Sequence, residues 1–322
     1  MSELRYNPFL DTYTIVAANR QNRPHLPKDY CPFCPAYGNV PDYDVLIYPN
    51  DFPALSLNPQ PIEEQTSFFM KKEAYGACEV ILYSPEHDKR FCQLSVEQIF
   101  KICCLWKERF DFFKNDPKIQ YIFPFENNGE EVGVTIHHPH GQLYAYSWIP
   151  SKIRIELENC IKFYQVTQQP LIKIWIEKEK EEKLRIIYEN ENFLALIPFF
   201  TDYPFGVQIV DKNLTPHIGA MDTTQLKDLA KALKFVTLAF DQIYERPFPY
   251  MLCVHQTPIN NEFYDKANQY YSFHIEFYPP LREKNKIKWY ASSEMGAGAA
   301  TNTLFVEDTA SLLSKIIQNL KI

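Results

Sequence analysis

The sequence predicts an α+β protein of two echoing halves, each a mainly antiparallel sheet with helices packed on it, together forming one compact unit. Three observations carry this. Phe52-Pro53-Ala54-Leu55 recurs as Phe193-Leu194-Ala195-Leu196. Each of these is followed by an amphipathic helix with a capping signal, Ser95 with Gln98 and then Asp222 with Gln225. Each helix is followed by two apolar strands, and the second strand of each pair carries histidine. The division falls between residues 178 and 179, giving halves of 1–178 and 179–322.

In chain order, residues 6–17 alternate as a strand centred on Thr12 to Val16, and 20–24 form a basic loop. Val45-Leu46-Ile47-Tyr48 is a short strand, and Cys78 to Tyr83 is another that runs into a turn at Ser84-Pro85. Ile99, Ile102, Cys103, Trp106, Phe110 and Phe113 fall at helical spacing over 95–114, so that stripe is core packing. A strand over 120–125 leads to 134–148, a strand that carries imidazoles through a proline-marked kink into a glycine turn. Residues 153–183 are charged and mostly helical, and the run from Lys178 to Lys183 is a solvated helix face or a hinge. The second helical stripe is Leu226, Leu229, Leu233, Val236, Phe240 and Ile243. Strands follow at 249–255, 271–278 and 286–290, and a closing helix at 307–320.

The chain has 322 residues, long enough for one large or two ordinary domains, and 46% of them are hydrophobic, enough for a sizeable core. A net charge of −7 argues against a nucleic-acid surface. An anionic substrate must then be met by a few placed cations rather than a global field. There is no apolar run of membrane-spanning length, and the N-terminal residues lack an apolar signal core, so the expectation is a cytoplasmic protein. Eight cysteines in such a chain read as reduced thiols, some of them candidate ligands.

The densest chemistry lies in His137-His138-Pro139-His140-Gly141-Gln142. Three histidines, a proline, a glycine and a glutamine in six positions point to a site rather than to a half-buried polar strand. His138 and His140 are two apart, so they share a face of an extended chain. A neutral imidazole is both a nucleophile and a metal ligand. Gly141 would let a phosphate approach the backbone, and Gln142 offers an amide NH2 to a phosphoryl oxygen. Upstream, Cys31-Pro32-Phe33-Cys34 is a CxxC whose readings are metal site, redox pair or chance. Redox is the weaker, for want of a thioredoxin-like context, and a metal site needs two further ligands.

His138-Pro139-His140-Gly141-Gln142, with Phe125-Glu126-Asn127 upstream, resembles the signature of the galactose-1-phosphate uridylyltransferase family, a branch of the histidine-triad superfamily. The likeness extends over nearly the whole chain, and the two halves then read as histidine-triad-like units, the second degenerate. It implies His140 as nucleophile and Gln142 as stabiliser of the phosphoryl oxygens. Cys31, Cys34, His87 and His138 would form a closed structural zinc site. Glu156, His255, His274 and Glu276 would surround a second metal, iron or zinc, although many members have histidine where this chain has Glu276. Arg20 and Arg23 would contact substrate phosphates, and Asn50, Asp51 and Phe52 the uridine. The resemblance adds Phe33, Asn127, Gly133 and Thr135 as substrate contacts. Lys288, Trp289 and Glu294 would bind the hexose phosphate, reaching into the partner's site in a homodimer; Ser293 stands where the family has tyrosine.

The implied reaction moves a uridylyl group from UDP-glucose to galactose 1-phosphate, giving UDP-galactose and glucose 1-phosphate through a uridylyl-histidine. The alternatives are an adenine-nucleotide phosphorylase or hydrolase of the same superfamily, and a non-catalytic nucleotide-binding protein.

Overall fold

The computed structural model describes residues 2–22, 30–62 and 68–320. Its strands and α-helices, in chain order, are β1 (Ser2–Asn7), β2 (Thr12–Ala17), β3 (Leu46–Pro49), β4 (Lys71–Glu73), β5 (Gly76–Leu82), α1 (Val96–Phe113), β6 (Tyr121–Asn128), β7 (His140–Tyr146), α2 (Ser151–Thr167) and α3 (Leu171–Glu182). They continue as β8 (Ile186–Glu189), β9 (Phe193–Leu196), β10 (Gln208–Asp211), α4 (Thr223–Ile243), β11 (Tyr250–His255), β12 (His274–Tyr278), β13 (Leu281–Glu283), β14 (Lys286–Ile287), α5 (Ser292–Ala297) and α6 (Val306–Asn319). Among the described residues, no helix is long and apolar enough to cross a membrane.

Nine strands form one sheet in the order β3-β5-β7-β6-β11-β12-β10-β9-β8, every pair antiparallel. The internal repeat is visible in that order. Reading outward from the centre, β6-β7-β5-β3 on one side mirrors β11-β12-β10-β9 on the other. The halves join where β6 pairs with β11, Phe125 opposite Cys253 and Asn128 opposite Tyr250. Because backbone hydrogen bonds cross that seam, the two halves share a single sheet.

Side chains alternate across the sheet. Leu143 and Ala145 of β7, with Ile275 and Phe277 of β12, point to the face that α1, α4 and α6 cover, and pack with Trp106, Phe110, Leu229, Val236, Phe240 and Leu313. Fully burying a side chain of this size contributes roughly 1.5–3 kcal/mol, so this layer is the main source of stability. The opposite face carries His140, Gln142 and Tyr144 of β7, and His274 and Glu276 of β12. There α2 sets Ile153, Leu157 and Cys160 against Tyr121 and Tyr271, and the β1–β2 hairpin sets Leu4 near Tyr144 and Trp148.

Several local expectations change. The 6–17 strand is a hairpin, β1 with β2: Asn7 Oδ1 accepts from the Phe9 amide at 3.0 Å and Asp11 takes φ 48°. Strand β7 begins only at His140, since Pro139 has no N–H to pair. At α1 the capping box is half made. Ser95 Oγ accepts from the Gln98 amide, but the Gln98 side chain donates to the carbonyls of Asp44 and Tyr83, both at 2.8 Å. At α4 both halves of the box form, between Asp222 and Gln225. The 153–183 stretch is two helices separated at Gln168, which takes φ 57°, and Pro170. In the Lys178–Lys183 run, Glu179 is buried rather than solvated, because Arg185 pairs with it at 2.9 Å and with Glu307 of α6 at 3.2 Å. The 286–290 strand shrinks to the two residues of β14.

Candidate active site

The CxxC, the turn after β5 and the approach to β7 converge on a first cluster. Cys31, Cys34, His87 and His138 bring one ligand atom each to within 4.8 Å of one another. His138 Nδ1 lies 3.7 Å from Cys31 Sγ and 3.5 Å from Cys34 Sγ, and His87 Nδ1 lies 3.3 Å from Cys34 Sγ. His138 Nε2 is 2.7 Å from the Ser84 carbonyl oxygen and 2.7 Å from the Tyr43 hydroxyl. A carbonyl only accepts, so Nε2 carries the proton and the Nδ1 lone pair faces the thiols. Burial holds the His138 imidazole down at about 4, hence neutral. Burial, then the neighbouring Cys31, pushes the Cys34 thiol up to about 12. Two thiols and two imidazoles aimed at one small volume form a donor set that a divalent metal ion completes.

Two residues on, His140 faces the open side of the sheet. Its Nδ1 is 2.7 Å from the carbonyl oxygen of His138, so Nδ1 is the donor and Nε2 the basic nitrogen. His138 and His140 do not alternate along a common strand; the Phe33 ring is set against both, at 5.9 and 5.3 Å between centroids. His140 and Gln142 stand where two clefts meet. One, about 300 Å³, is lined by Phe33, Asn50, Asp51, Phe52 and Thr135. The other, about 120 Å³, is lined by Arg20, Asn127, Gly133, Thr135 and Tyr144. The Arg20 guanidinium donates to the Tyr144 hydroxyl at 3.0 Å and approaches the Phe52 carbonyl oxygen at 3.5 Å. The site thus brings a basic imidazole nitrogen, an amide and a guanidinium beside a half-apolar cleft. Arg23 lies outside the described residues.

Gly141 is explained differently from the expectation. A Cβ there would point to the helix-covered face, meeting Tyr83 Oη at 1.9 Å and Tyr83 Cζ at 2.7 Å. The glycine makes room for Tyr83.

Against the second half's strands, Glu156 of α2 in the first half reaches His255 and His274, and these three bring ligand atoms within 4.8 Å. His255 Nδ1 is 2.9 Å from Glu156 Oε2 and its Nε2 is 3.5 Å from Glu276 Oε2. His274 Nδ1 donates to the Ser272 carbonyl at 3.0 Å, which leaves its Nε2 3.9 Å from each of the two carboxylates. Burial alone would raise the Glu156 carboxyl, but His255, His274 and Lys152 outweigh it and hold it well down. Glu276 is not aimed at a shared centre. Lys152 Nζ lies 2.6 Å from its Oε2, and Gln208 Nε2 donates to its Oε1 at 2.7 Å. The four residues expected around a second metal therefore do not present an open converging set as the first cluster does.

Lys288, Trp289 and Glu294 line none of the clefts that His140 borders. Lys288 is buried, with its ammonium over the rings of Tyr290 (4.3 Å) and Tyr203 (5.3 Å), while Trp289 is exposed. Glu294 lines a separate cavity of about 480 Å³ with Lys152, Tyr203, Tyr278 and Tyr290. Sequence reasoning missed Tyr43, Tyr83, Tyr144 and Lys152. Only Tyr144 had a signal to find it by, since it follows His140 and Gln142 in steps of two on one strand face.

A sheet of two mirrored antiparallel units, with a histidine at the meeting of two clefts beside a cysteine–histidine cluster, defines a paired histidine-triad-like protein. Comparisons with known proteins make this particular. The family models described as galactose-1-phosphate uridyl transferase, N-terminal domain and C-terminal domain, match residues 1–150 and 156–318. The galactose-1-phosphate uridylyltransferase of Thermotoga maritima is 37% identical over 313 residues, covering 96% of this chain and 97% of the relative. That of Saccharomyces cerevisiae is 30% identical, covering 89% and 87%. A solved structure titled as a uridylyltransferase superposes with a TM-score of 0.90 at 32% identity, over 99% of this chain and all of the other. An ADP-glucose phosphorylase from Arabidopsis thaliana shares the fold, with a TM-score of 0.75 at 24% identity over the whole of both chains. The chain belongs to the galactose-1-phosphate uridylyltransferase family.

Proposed function

We propose that this protein transfers a uridylyl group from UDP-glucose to galactose 1-phosphate by double displacement through His140. The observation that carries the reading is the hydrogen bond from His140 Nδ1 to the His138 carbonyl, which makes Nε2 the basic nitrogen where the two clefts meet. In the first step Nε2 attacks the α-phosphorus, and the bond to glucose 1-phosphate breaks. In the second, a phosphate oxygen of galactose 1-phosphate attacks the same phosphorus and the N–P bond breaks, returning the lone pair to Nε2. Gln142 hydrogen-bonds a nonbridging oxygen, and Arg20, held by Tyr144, supplies countercharge. The cleft of Asn50, Asp51 and Phe52 takes the uridine, with contacts from Phe33, Asn127, Gly133 and Thr135 lining the same region.

Cys31, Cys34, His87 and His138 would hold zinc, and that ligation would brace the loop carrying His138 and so the carbonyl that orients His140. Family resemblance supports a cytoplasmic homodimer in which the 288–294 segment of each copy serves the other's hexose phosphate.

Intact mass tests the reading. Mixing with UDP-glucose should add one uridylyl group, and galactose 1-phosphate should remove it. ADP-glucose should leave the mass unchanged. A protein that gains nothing from UDP-glucose, or gains from ADP-glucose instead, would overturn it.

A further inference from the structure

Lys152 and Glu156 lie one turn apart on α2, so both reach the same patch of the sheet. Lys152 Nζ is 2.6 Å from Glu276 Oε2 and 4.0 Å from Glu156 Oε1, and it also donates to the Tyr278 hydroxyl. Glu276 accepts in addition from Gln208 Nε2 at 2.7 Å and from the Tyr278 hydroxyl. Glu156 Oε2 accepts from the Tyr271 hydroxyl at 2.7 Å and faces His255 Nδ1 at 2.9 Å. Both oxygens of Glu276 and Oε2 of Glu156 are thus served by donors of the chain itself. A metal ion would have to displace those donors and sit beside an ammonium. Yet Glu276 is only 7% exposed, and two carboxylates this close between sheet and helix need a cation.

We propose that the ammonium of Lys152 is the resident cation of this cluster, in place of a second metal ion. In the repeat, β12 begins at His274 as β7 begins at His140, each with Nδ1 on the carbonyl two residues back, so Glu276 stands where the first half has Gln142. The carboxylate introduced there is neutralised from α2, and the Lys152–Glu276 pair ties that helix to β12. Tightly held metal is then confined to Cys31, Cys34, His87 and His138. The inference does not depend on the uridylyl reaction.

Metal analysis of the purified protein, after zinc loading and removal of loose ions on a chelating resin, tests it. The wild type should hold one equivalent per chain, and a Cys31→Ser, Cys34→Ser double variant should hold none. Lys152→Met should take up about one further equivalent, and Lys152→Arg, which keeps the charge, should not. Two equivalents in the wild type would overturn the proposal. So would one equivalent that survives the cysteine substitutions and disappears with His274→Ala, or a folded Lys152→Met protein that stays at one. Loss of metal by the cysteine variant alone concerns the first cluster and leaves the role of Lys152 to be read from the Lys152 variants.

Discussion

His140 donates from Nδ1 to the backbone carbonyl of His138 across 2.7 Å, so a residue of the cysteine–histidine cluster sets the tautomer of the proposed nucleophile. The ring is thereby aimed by backbone rather than by a carboxylate partner. His140→Ala should therefore reduce glucose 1-phosphate release to background. His140→Gly should do the same but regain part of the turnover when imidazole is added, because the cavity admits a free ring. Normal turnover in either variant without imidazole would remove His140 from the mechanism.

Tyr43 holds the cluster from behind. Its hydroxyl meets His138 Nε2 at 2.7 Å and the carbonyl oxygens of Phe33 and Ser84 at 3.0 and 2.9 Å. Tyr43→Phe keeps the ring and removes those bonds. Metal affinity should fall about 10- to 100-fold, measured by competition with a chromophoric chelator. An unchanged affinity would mean that the Ser84 carbonyl alone orients the imidazole.

Gly141→Ala should destabilise the protein by about 1–3 kcal/mol through overpacking against Tyr83, read from urea denaturation. Adding Tyr83→Phe should restore part of the loss. It removes the 1.9 Å conflict with the hydroxyl and leaves the ring carbon at 2.7 Å. If the double variant is no better than the single one, Tyr83 is not the reason for the glycine.

Glu126 lies on the helix-covered face of β6, where Tyr250 donates to its Oε1 at 3.1 Å. Burial pushes its carboxyl from the ordinary 4.5 up to about 8, against a smaller pull from the Tyr250 and Tyr83 hydroxyls. Between those pH values the folded chain keeps a proton that the unfolded chain has lost. Stability from this group is thus complete below the unfolded value and declines as pH rises toward 8, by about 1.4 kcal/mol per pH unit for one proton. Glu126→Gln cannot ionise, so its stability relative to wild type should improve steadily from pH 5 to 8 and then level off. A pH-independent difference would show that the carboxyl ionises normally in the fold.

The helices were readable from pattern because their hydrogen bonds and stripes are local. Residues 95–114 and 307–320 were expected as helices, and α1 and α6 span Val96–Phe113 and Val306–Asn319. The paired helix–strand runs were enough to anticipate two mirrored α+β units, but the echo of Phe52–Leu55 in Phe193–Leu196 was not part of that symmetry. Phe193–Leu196 is β9, whose mirror is β3 at Leu46–Pro49, and Phe52–Leu55 lies in the loop after β3. The histidine motif pointed to His140 and Gln142, and both line the two clefts on the open face of the sheet. The β1–β2 hairpin was misread because its turn rests on an Asn7 side-chain bond that alternation does not reveal.

What remained was decided by distance in sequence. Tyr43 reaches His138 across 95 positions and Lys152 reaches Glu276 across 124, and neither tyrosine nor lysine carries a local mark of such a role. Gly141 looked like a phosphate-approach glycine until strand register placed its missing side chain over Tyr83. Composition and spacing specify which chemical groups are available and which segments become regular. Only closure of the sheet brings strands from both halves side by side, and that closure determines which donor faces which acceptor and whether a carboxylate meets a metal ion or an ammonium.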